Sequence, residues 1–242
     1  GLEGDRRWMV IDEATGRFLT QRLLPQMGQI VAQFNPDGCL TLSAPGCEVL
    51  SVPLPATSMA LRDVIVWSDN LAVPDAGDIA ALWLSRFLGR ACRLVHVPVE
   101  RARQIDPKYA ALGERVGFAD GFPLLLIGQA SLDDLSQRVA RPLEMLRFRP
   151  NLVVAGCDPY AEDSWRRIRI GEQTFKVVKG CSRCIITTLD PATGERSSDR
   201  EPLATLKGYR QREGEVYFGQ NVIAETLGVL QLGMPVEVLE YV

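Results

Sequence analysis

Strand-length runs of apolar and β-branched residues, each closed within a few positions by a turn built on glycine or proline, dominate this chain and confine it to a strand-rich fold. Trp8-Met9-Val10-Ile11-Asp12 and Arg17-Phe18-Leu19-Thr20 flank Glu13-Ala14-Thr15-Gly16. Ile30-Val31-Ala32-Gln33-Phe34 and Cys39-Leu40-Thr41-Leu42 flank Asn35-Pro36-Asp37-Gly38. In that second tetrad proline presets φ and glycine tolerates a left-handed backbone, so both pairs are expected as hairpins. Pro123-Leu124-Leu125-Leu126-Ile127 is short, wholly apolar and bounded by turn residues, the pattern of a buried strand. Asn151-Leu152-Val153-Val154 follows, then a hairpin of Arg167-Ile168-Arg169-Ile170 and Thr174-Phe175-Lys176-Val177-Val178 around Gly171-Glu172-Gln173. Cys184 to Leu189 also reads as strand-like, and Met234 to Val242 as a last strand.

Helices are few. Pro74 and Asp75 announce one on which Ile79, Leu82, Trp83 and Phe87 share a face, and Gly89 ends it. Ser131 with Asp134 three positions on looks like an N-terminal cap for a second, which stops by Pro142. Many short strands with few helices define an α+β protein of barrels or sandwiches with helices attached. A polar, proline-containing segment from Val97 to Ile105 suggests a domain boundary, with a β-rich domain over 1–97 and a second domain over 98–242. The 242 residues suffice for two such cores.

Composition removes several function classes. With 27 basic against 30 acidic side chains the net charge is −3, so no basic surface for nucleic acid is expected. No apolar run approaches the roughly 18 residues of a membrane span, and the first residues lack a signal-peptide layout. The chain lacks an initiator Met and reads as trimmed. Six cysteines at irregular spacing in a chain of this length suggest a reducing, cytoplasmic setting. A single histidine, His96, weakens any mechanism that needs a histidine dyad or a multi-histidine metal site; between Val95 and Val97 it reads as a satisfied strand residue. Phosphate-binding glycine loops and a nucleophile elbow are both missing from the sequence. The acids of Asp158-Pro159-Tyr160-Ala161-Glu162-Asp163 read as turn caps or, less simply, a cation site.

Cys181-Ser182-Arg183-Cys184 is the densest chemical signal. Spacing alone leaves four readings open: a redox pair, half a zinc site, two core cysteines, or one thiolate serving as a soft ligand to a metal held mainly by something else. A strand after Cys184 argues against the redox pair, whose low-pKa thiol sits at a helix start. In Phe148-Arg149-Pro150-Asn151 the following proline keeps Arg149 out of the helical region and is expected to hold it extended. A fixed guanidinium fork beside an amide suits a phosphate or a heterocycle edge, and Arg22 in Thr20-Gln21-Arg22 offers a second fork. Surface pairing with acids is the competing reading for both arginines.

Arg6-Arg7-Trp8-Met9-Val10-Ile11-Asp12 with Phe18-Leu19-Thr20-Gln21-Arg22 resembles the N-terminal β-barrel found ahead of MOSC domains. The R-P-N motif, Cys157-Asp158-Pro159-Tyr160-Ala161-Glu162-Asp163-Ser164-Trp165, and Cys181 to Thr188 resemble the MOSC domain of amidoxime-reducing components and bacterial MOSC-domain reductases. Glu201 to Lys207 and Phe218-Gly219-Gln220-Asn221 extend the match along nearly the whole chain. The resemblance implies a MOSC β-barrel after the N-terminal domain and a molybdenum cofactor (Mo-pyranopterin) between them. It implies reduction of small N-hydroxylated substrates such as amidoximes, hydroxylamines and N-hydroxylated bases; the alternative is a carrier of the cofactor or its sulfur. Carried over position by position, Cys184 is the protein ligand to molybdenum. Arg22, Arg149 and Asn151 anchor the cofactor, and the Asp120-Gly121-Phe122 loop cradles it. Cys181 and Cys157 match family cysteines that are not ligands. The family pattern also has a strand with a Lys-Ser motif ahead of the position of Gly1. No iron–sulfur cysteine run is present, so electrons are expected from a separate flavin, heme or iron–sulfur protein.

Overall fold

The computed structural model describes residues 1–56 and 59–242. The first part of the chain carries β1 (Trp8–Asp12), β2 (Val31–Phe34), β3 (Leu40–Ser43), β4 (Leu50–Val52), β5 (Leu61–Val66), β6 (Asp69–Pro74), helix α1 (Asp78–Leu88) and β7 (Cys92–His96). β2 and β3 form the expected hairpin, Val31 opposite Ser43 and Phe34 opposite Leu40, with β4 completing a three-stranded sheet. The first expected hairpin forms only in part. β1 pairs along its length with β7, Trp8 opposite His96, whereas residues 17–18 contribute single bridges, Ile11 to Phe18 and Arg17 to Ile65. The chain there crosses from β1 toward the β5–β6 hairpin and then turns at Thr20, too soon to complete a ladder.

α1 ends at Gly89 as expected, but a different face is buried. Ala80, Ala81, Leu84 and Leu88 enter the core, while Ile79 is 74% and Leu82 53% exposed; Trp83 and Phe87 flank the contact. The alanines decide this, because small residues let the helix backbone approach β7 closely enough for the leucines to reach Leu94 and Cys92.

His96 sits on a strand, as expected, but is not satisfied. Its ring packs on Trp8 at 4.8 Å, and both His96 Nδ1 and Trp8 Nε1 are buried without a partner among the described residues. Burial first, then the Arg7 cation, lowers its pKa to about 4, with Glu100 opposing. A histidine that resists protonation when folded costs stability as pH falls from 6.5 to 4, because only the unfolded chain takes up the proton there. Urea unfolding at pH 7 and pH 4.5 should therefore show a loss of stability that His96→Gln reduces.

A short β8 (Arg103–Gln104) and β9 (Arg115–Val116) lead into the second part: β10 (Leu124–Gly128), α2 (Gln129–Val139), β11 (Leu152–Val154), β12 (Trp165–Ile170), β13 (Gln173–Ser182), α3 (Leu203–Arg210), β14 (Gln211–Arg212), β15 (Glu215–Ala224) and β16 (Val236–Tyr241). One mixed seven-stranded sheet runs β11-β10-β15-β13-β12-β16, with β14 on β15. β10 is buried throughout. Leu124 and Leu126 face a core with Trp165, Ile168 and Phe175, and Leu125 and Ile127 face another with Phe148, Leu206 and Phe218. A strand covered on both faces explains its unbroken apolar run.

Ser131 does not cap α2, which starts two residues earlier. Its buried hydroxyl donates to the Glu162 carboxylate at 2.8 and 2.9 Å and accepts the Tyr160 N–H at 2.8 Å. Glu162, 1% exposed, also accepts the Gly128 N–H at the helix start, so a carboxylate from another segment does the cap's work. Asp163 pairs with Arg210 and accepts from Gln220. The acids after Asp158 are thus anchors, and no group of three metal-ligating side chains occurs among the described residues. No described helix is long and apolar enough to cross a membrane.

Candidate functional site

β13 delivers the two cysteines. Its ladder with β15 slips twice, and the second slip lies between Gly180 and Ser182, directly opposite Phe218 and Gly219. Such bulges re-aim the side chains beside them. After Ser182 the chain does not continue as a strand; Ile185–Thr188 form one 3-10 turn with Cys184 just before it. The β-branched run fails as a strand because its hydroxyls bond locally: Thr187 Oγ1 donates to the Cys184 carbonyl at 3.0 Å and Thr188 Oγ1 to that of Ile185 at 2.7 Å. Cys184 thus stands ahead of a helical turn and not a strand, so the local backbone does not disfavour a redox pair.

What separates the cysteines is where each thiol is held. Cys181 packs against the Phe148–Phe218 core, its Sγ accepting from Arg183 Nη1 at 3.0 Å. Cys184, half-buried, accepts from Arg22 Nη2 at 3.2 Å, a residue of the first part of the chain. Both are free thiols. Arg183 also donates to the Phe148 carbonyl at 2.7 Å, which ties the cysteine loop to the R-P-N segment.

Arg22 lies on a turn in which Leu23 and Leu24 donate to the Thr20 carbonyl. Its guanidinium stands 5.4 Å from the ring centre of Trp67, which in turn packs on Phe18 at 4.9 Å. Trp67 was not singled out in the sequence. Its signal is a two-residue connection between alternating strands, which here places a tryptophan at φ 55 at the β5–β6 tip.

Arg149 is not extended: its φ is 55, in the left-handed region. The clash with Pro150 excludes only the right-handed helical region, so the rule that predicted an extended residue is satisfied by a rarer solution. The Arg149 side chain has no hydrogen-bond or ion-pair partner among the described residues. Burial lowers its pKa first and the Arg6 cation second, while Asp5 and Asp120 pull it up. The side chain is exposed to water. Asp120 is exposed, and a Cβ on Gly121 would meet nothing within 4 Å. Phe122 packs edge-on to Tyr109 at 5.5 Å.

Asn151 is largely committed to the fold. Its Oδ1 accepts from the Leu125 N–H at 3.0 Å and from Arg6 Nη1 at 3.3 Å, and its Nδ2 donates to Asp5 Oδ2 at 2.8 Å. One amide N–H remains for a ligand. The sequence pointed to none of Asp5, Arg6 and Trp67 as parts of this region, and it gave Arg183 no role beyond its place between the cysteines. A cavity of about 600 Å³ lies elsewhere, lined by Glu13, Gly16, Arg62, Asp63, Asp75 and Arg93. Its central charges are already paired, Asp75 accepting from both Arg62 and Arg93, which makes it a structural knot.

The second part is built on one mixed seven-stranded sheet, and the Cys184 thiol meets Arg22 of the strand-rich first part. The sequence pattern of the MOSC domain matches residues 113–237, and that of the MOSC N-terminal beta barrel domain matches residues 1–91. The chain belongs to the MOSC-domain family, in the branch with that N-terminal barrel. Mitochondrial amidoxime-reducing component 1 of Mus musculus is 39% identical over 249 residues, covering 97% of this chain and 72% of the relative. The Homo sapiens protein of the same name is 37% identical over 250 residues, covering 97% and 73%. Molybdenum cofactor sulfurase of Oryza sativa subsp. japonica is 33% identical over 239 residues, covering 90% of this chain and 29% of the relative.

Proposed function

We propose that this protein holds a molybdenum–pyranopterin cofactor between its two parts and reduces N-hydroxylated compounds. The observation that carries the reading is the Cys184 thiol, turned out of the core and met at 3.2 Å by a guanidinium from the other part of the chain. The donor set suits such a group. The Arg149 guanidinium has no partner among the described residues, Gly121 opens space beside Asp120, and a free thiol is a soft ligand. Arg149 would take the phosphate, Asp120 and the free N–H of Asn151 the pterin edge, Cys184 Sγ the metal, and Arg22 would anchor the cofactor beside Cys184. The domain division is placed between Val97 and Pro98, supported by Val97 closing the β1–β7 pairing through the Arg7 carbonyl.

When bound, the cofactor supplies two-electron, oxygen-accepting chemistry; the chain's residues fix it and keep Arg22 beside the thiolate. The net reaction takes an amidoxime, two electrons and two protons to an amidine and water. The electrons come from a separate flavin, heme or iron–sulfur protein. Similarity to relatives named amidoxime-reducing components supports the substrate class. Similarity to a molybdenum cofactor sulfurase favours a second reading, a carrier that holds the cofactor or its sulfur without turnover. Protein isolated with molybdenum and given a chemically reduced dye and benzamidoxime should form benzamidine. Metal-loaded protein that forms none would leave the carrier.

A further inference from the structure

Trp67 has no core to enter. It joins none of the core clusters and is 38% exposed, on the two-residue turn between Val66 and Asp69. Its φ of 55 lies in the left-handed region, at the first central position of that turn, where glycine or asparagine is the usual occupant. A bulky side chain keeps such a backbone only where its surroundings impose it, and strain of this kind gathers at ligand sites. Core burial does not offset the strain here, so the ring is held in place by something other than packing of the barrel interior.

Two contacts hold it. Phe18 packs on the indole at 4.9 Å with the planes tilted by 55°, and the Arg22 guanidinium stands 5.4 Å from the ring centre. Phe18 is itself fixed, its N–H donating to the Ile65 carbonyl at 3.1 Å and its ring packing on the core of Val64 and Val66. The Arg22 guanidinium also donates through Nη2 to Cys184 Sγ at 3.2 Å. One side chain thus spans from the indole to the thiol, and Trp67 stands on the rim of the site centred on Cys184. A fixed, partly open π surface beside that thiol suits a flat conjugated ligand, which stacks over its whole plane, whereas a small aliphatic one gains little from it.

We propose that Trp67 is a substrate-binding residue, stacking on the ring of an aromatic amidoxime or an N-hydroxylated base and so favouring these over small aliphatic substrates. This rests on the reading of the Cys184 site as a reductase of N-hydroxylated compounds. Benzamidoxime and an N-hydroxylated base share a ring conjugated to the N-hydroxylated group, which acetamidoxime lacks. The competing role for Trp67, a prop that keeps Arg22 against the thiol, would act on cofactor retention and on every substrate alike.

Trp67→Gly tests this, because it removes the ring and suits a left-handed turn, so the hairpin should hold. On molybdenum-loaded protein the KM for benzamidoxime should rise about 10-fold, the scale of one lost stacking contact, with kcat close to wild type. Both constants for acetamidoxime should stay at their wild-type values, and Trp67→Phe should fall between. A second arm needs no turnover: equilibrium dialysis of benzamidoxime against loaded protein, without an electron donor, should show the same weakening at unchanged molybdenum content. Benzamidoxime binding equal in wild type and Trp67→Gly would overturn the proposal. So would an equal rise in KM for acetamidoxime or a fall in bound molybdenum, either of which marks the prop. If loaded wild-type protein binds benzamidoxime but reduces none, the reductase reading fails and the dialysis arm still decides the stacking; if it neither binds nor reduces, both fail. Should Trp67→Gly not fold, Trp67→Asn, which also accepts this turn position, carries the same measurements.

Discussion

Cys184→Ala, expressed in a host that makes molybdenum cofactor, is expected to lose N-hydroxylate reduction by more than about 100-fold, because supporting residues alone are worth 10- to 100-fold at metal sites and this removes a ligand itself. Molybdenum per chain should fall with it. Cys181→Ala should keep most of both. The two thiols differ in surroundings rather than in spacing: Cys181 lies against the Phe148–Phe218 core with Arg183 on its sulfur, and Cys184 meets Arg22 outside the core clusters. Truncating Cys181 leaves Arg183 its bond to the Phe148 carbonyl, so the loop keeps one tie. Cys184→Ser, which offers a harder oxygen donor, should behave like the alanine variant. Equal loss in Cys181→Ala and Cys184→Ala would instead mark a C-x-x-C redox pair. Metal and pterin content with dye-linked turnover, on variants whose melting matches wild type, reads all three.

The parts of this fold visible in the sequence are those settled within a few residues. The turn Asn35-Pro36-Asp37-Gly38 carries its own geometry, and its hairpin forms as β2 and β3. Gly171-Glu172 does the same for β12 and β13, and the apolar run before Gly128 could only be a strand covered twice. Where two local solutions compete, pattern fails. The run after Cys184 has strand composition, yet Thr187 and Thr188 bond back to the chain and wind it into a turn. On α1 the apolar residues fit two faces, and the alanines choose by how closely the helix can dock. At the site, motif spacing marks Cys184 and Arg149 but not their company. Arg22 meets Cys184 across 162 positions, and Arg6 meets Arg149 across 143. Those contacts depend on how the two parts of the chain meet, which no local pattern encodes.

Gly219→Ala is expected to destabilise the protein by about 3 kcal/mol, adding a left-handed residue with a Cβ to an overpacked contact. Gly219 has φ 77, and a Cβ there would stand 2.6 Å from Ile127 Cγ1 and 2.8 Å from the Leu126 carbonyl oxygen. A flexible side-chain end can move aside; the carbonyl belongs to the buried central strand β10 and cannot. The position also has a structural task. From Gln220 to Tyr217 β15 spends three steps while β13, from Gly180 to Ser182, spends two, so Phe218 and Gly219 together face Cys181. A left-handed glycine is what makes such a bulge. The bulge bends the ladder where β13 gives way to the cysteine loop, and Arg183, just beyond, is held by its N–H to the Val216 carbonyl at 2.7 Å. In a chain of this size such a loss lowers the melting temperature by about 10 °C. Because the strain is released at the bulge, the loop should loosen first, so hydrogen exchange in Gly219→Ala should rise at Arg183 and Cys184 before it rises in β12 or β16. A variant that melts with wild type and exchanges with it would show that β15 carries a side chain there without strain, and that the cysteine loop takes its position from Arg183 and Arg22 alone.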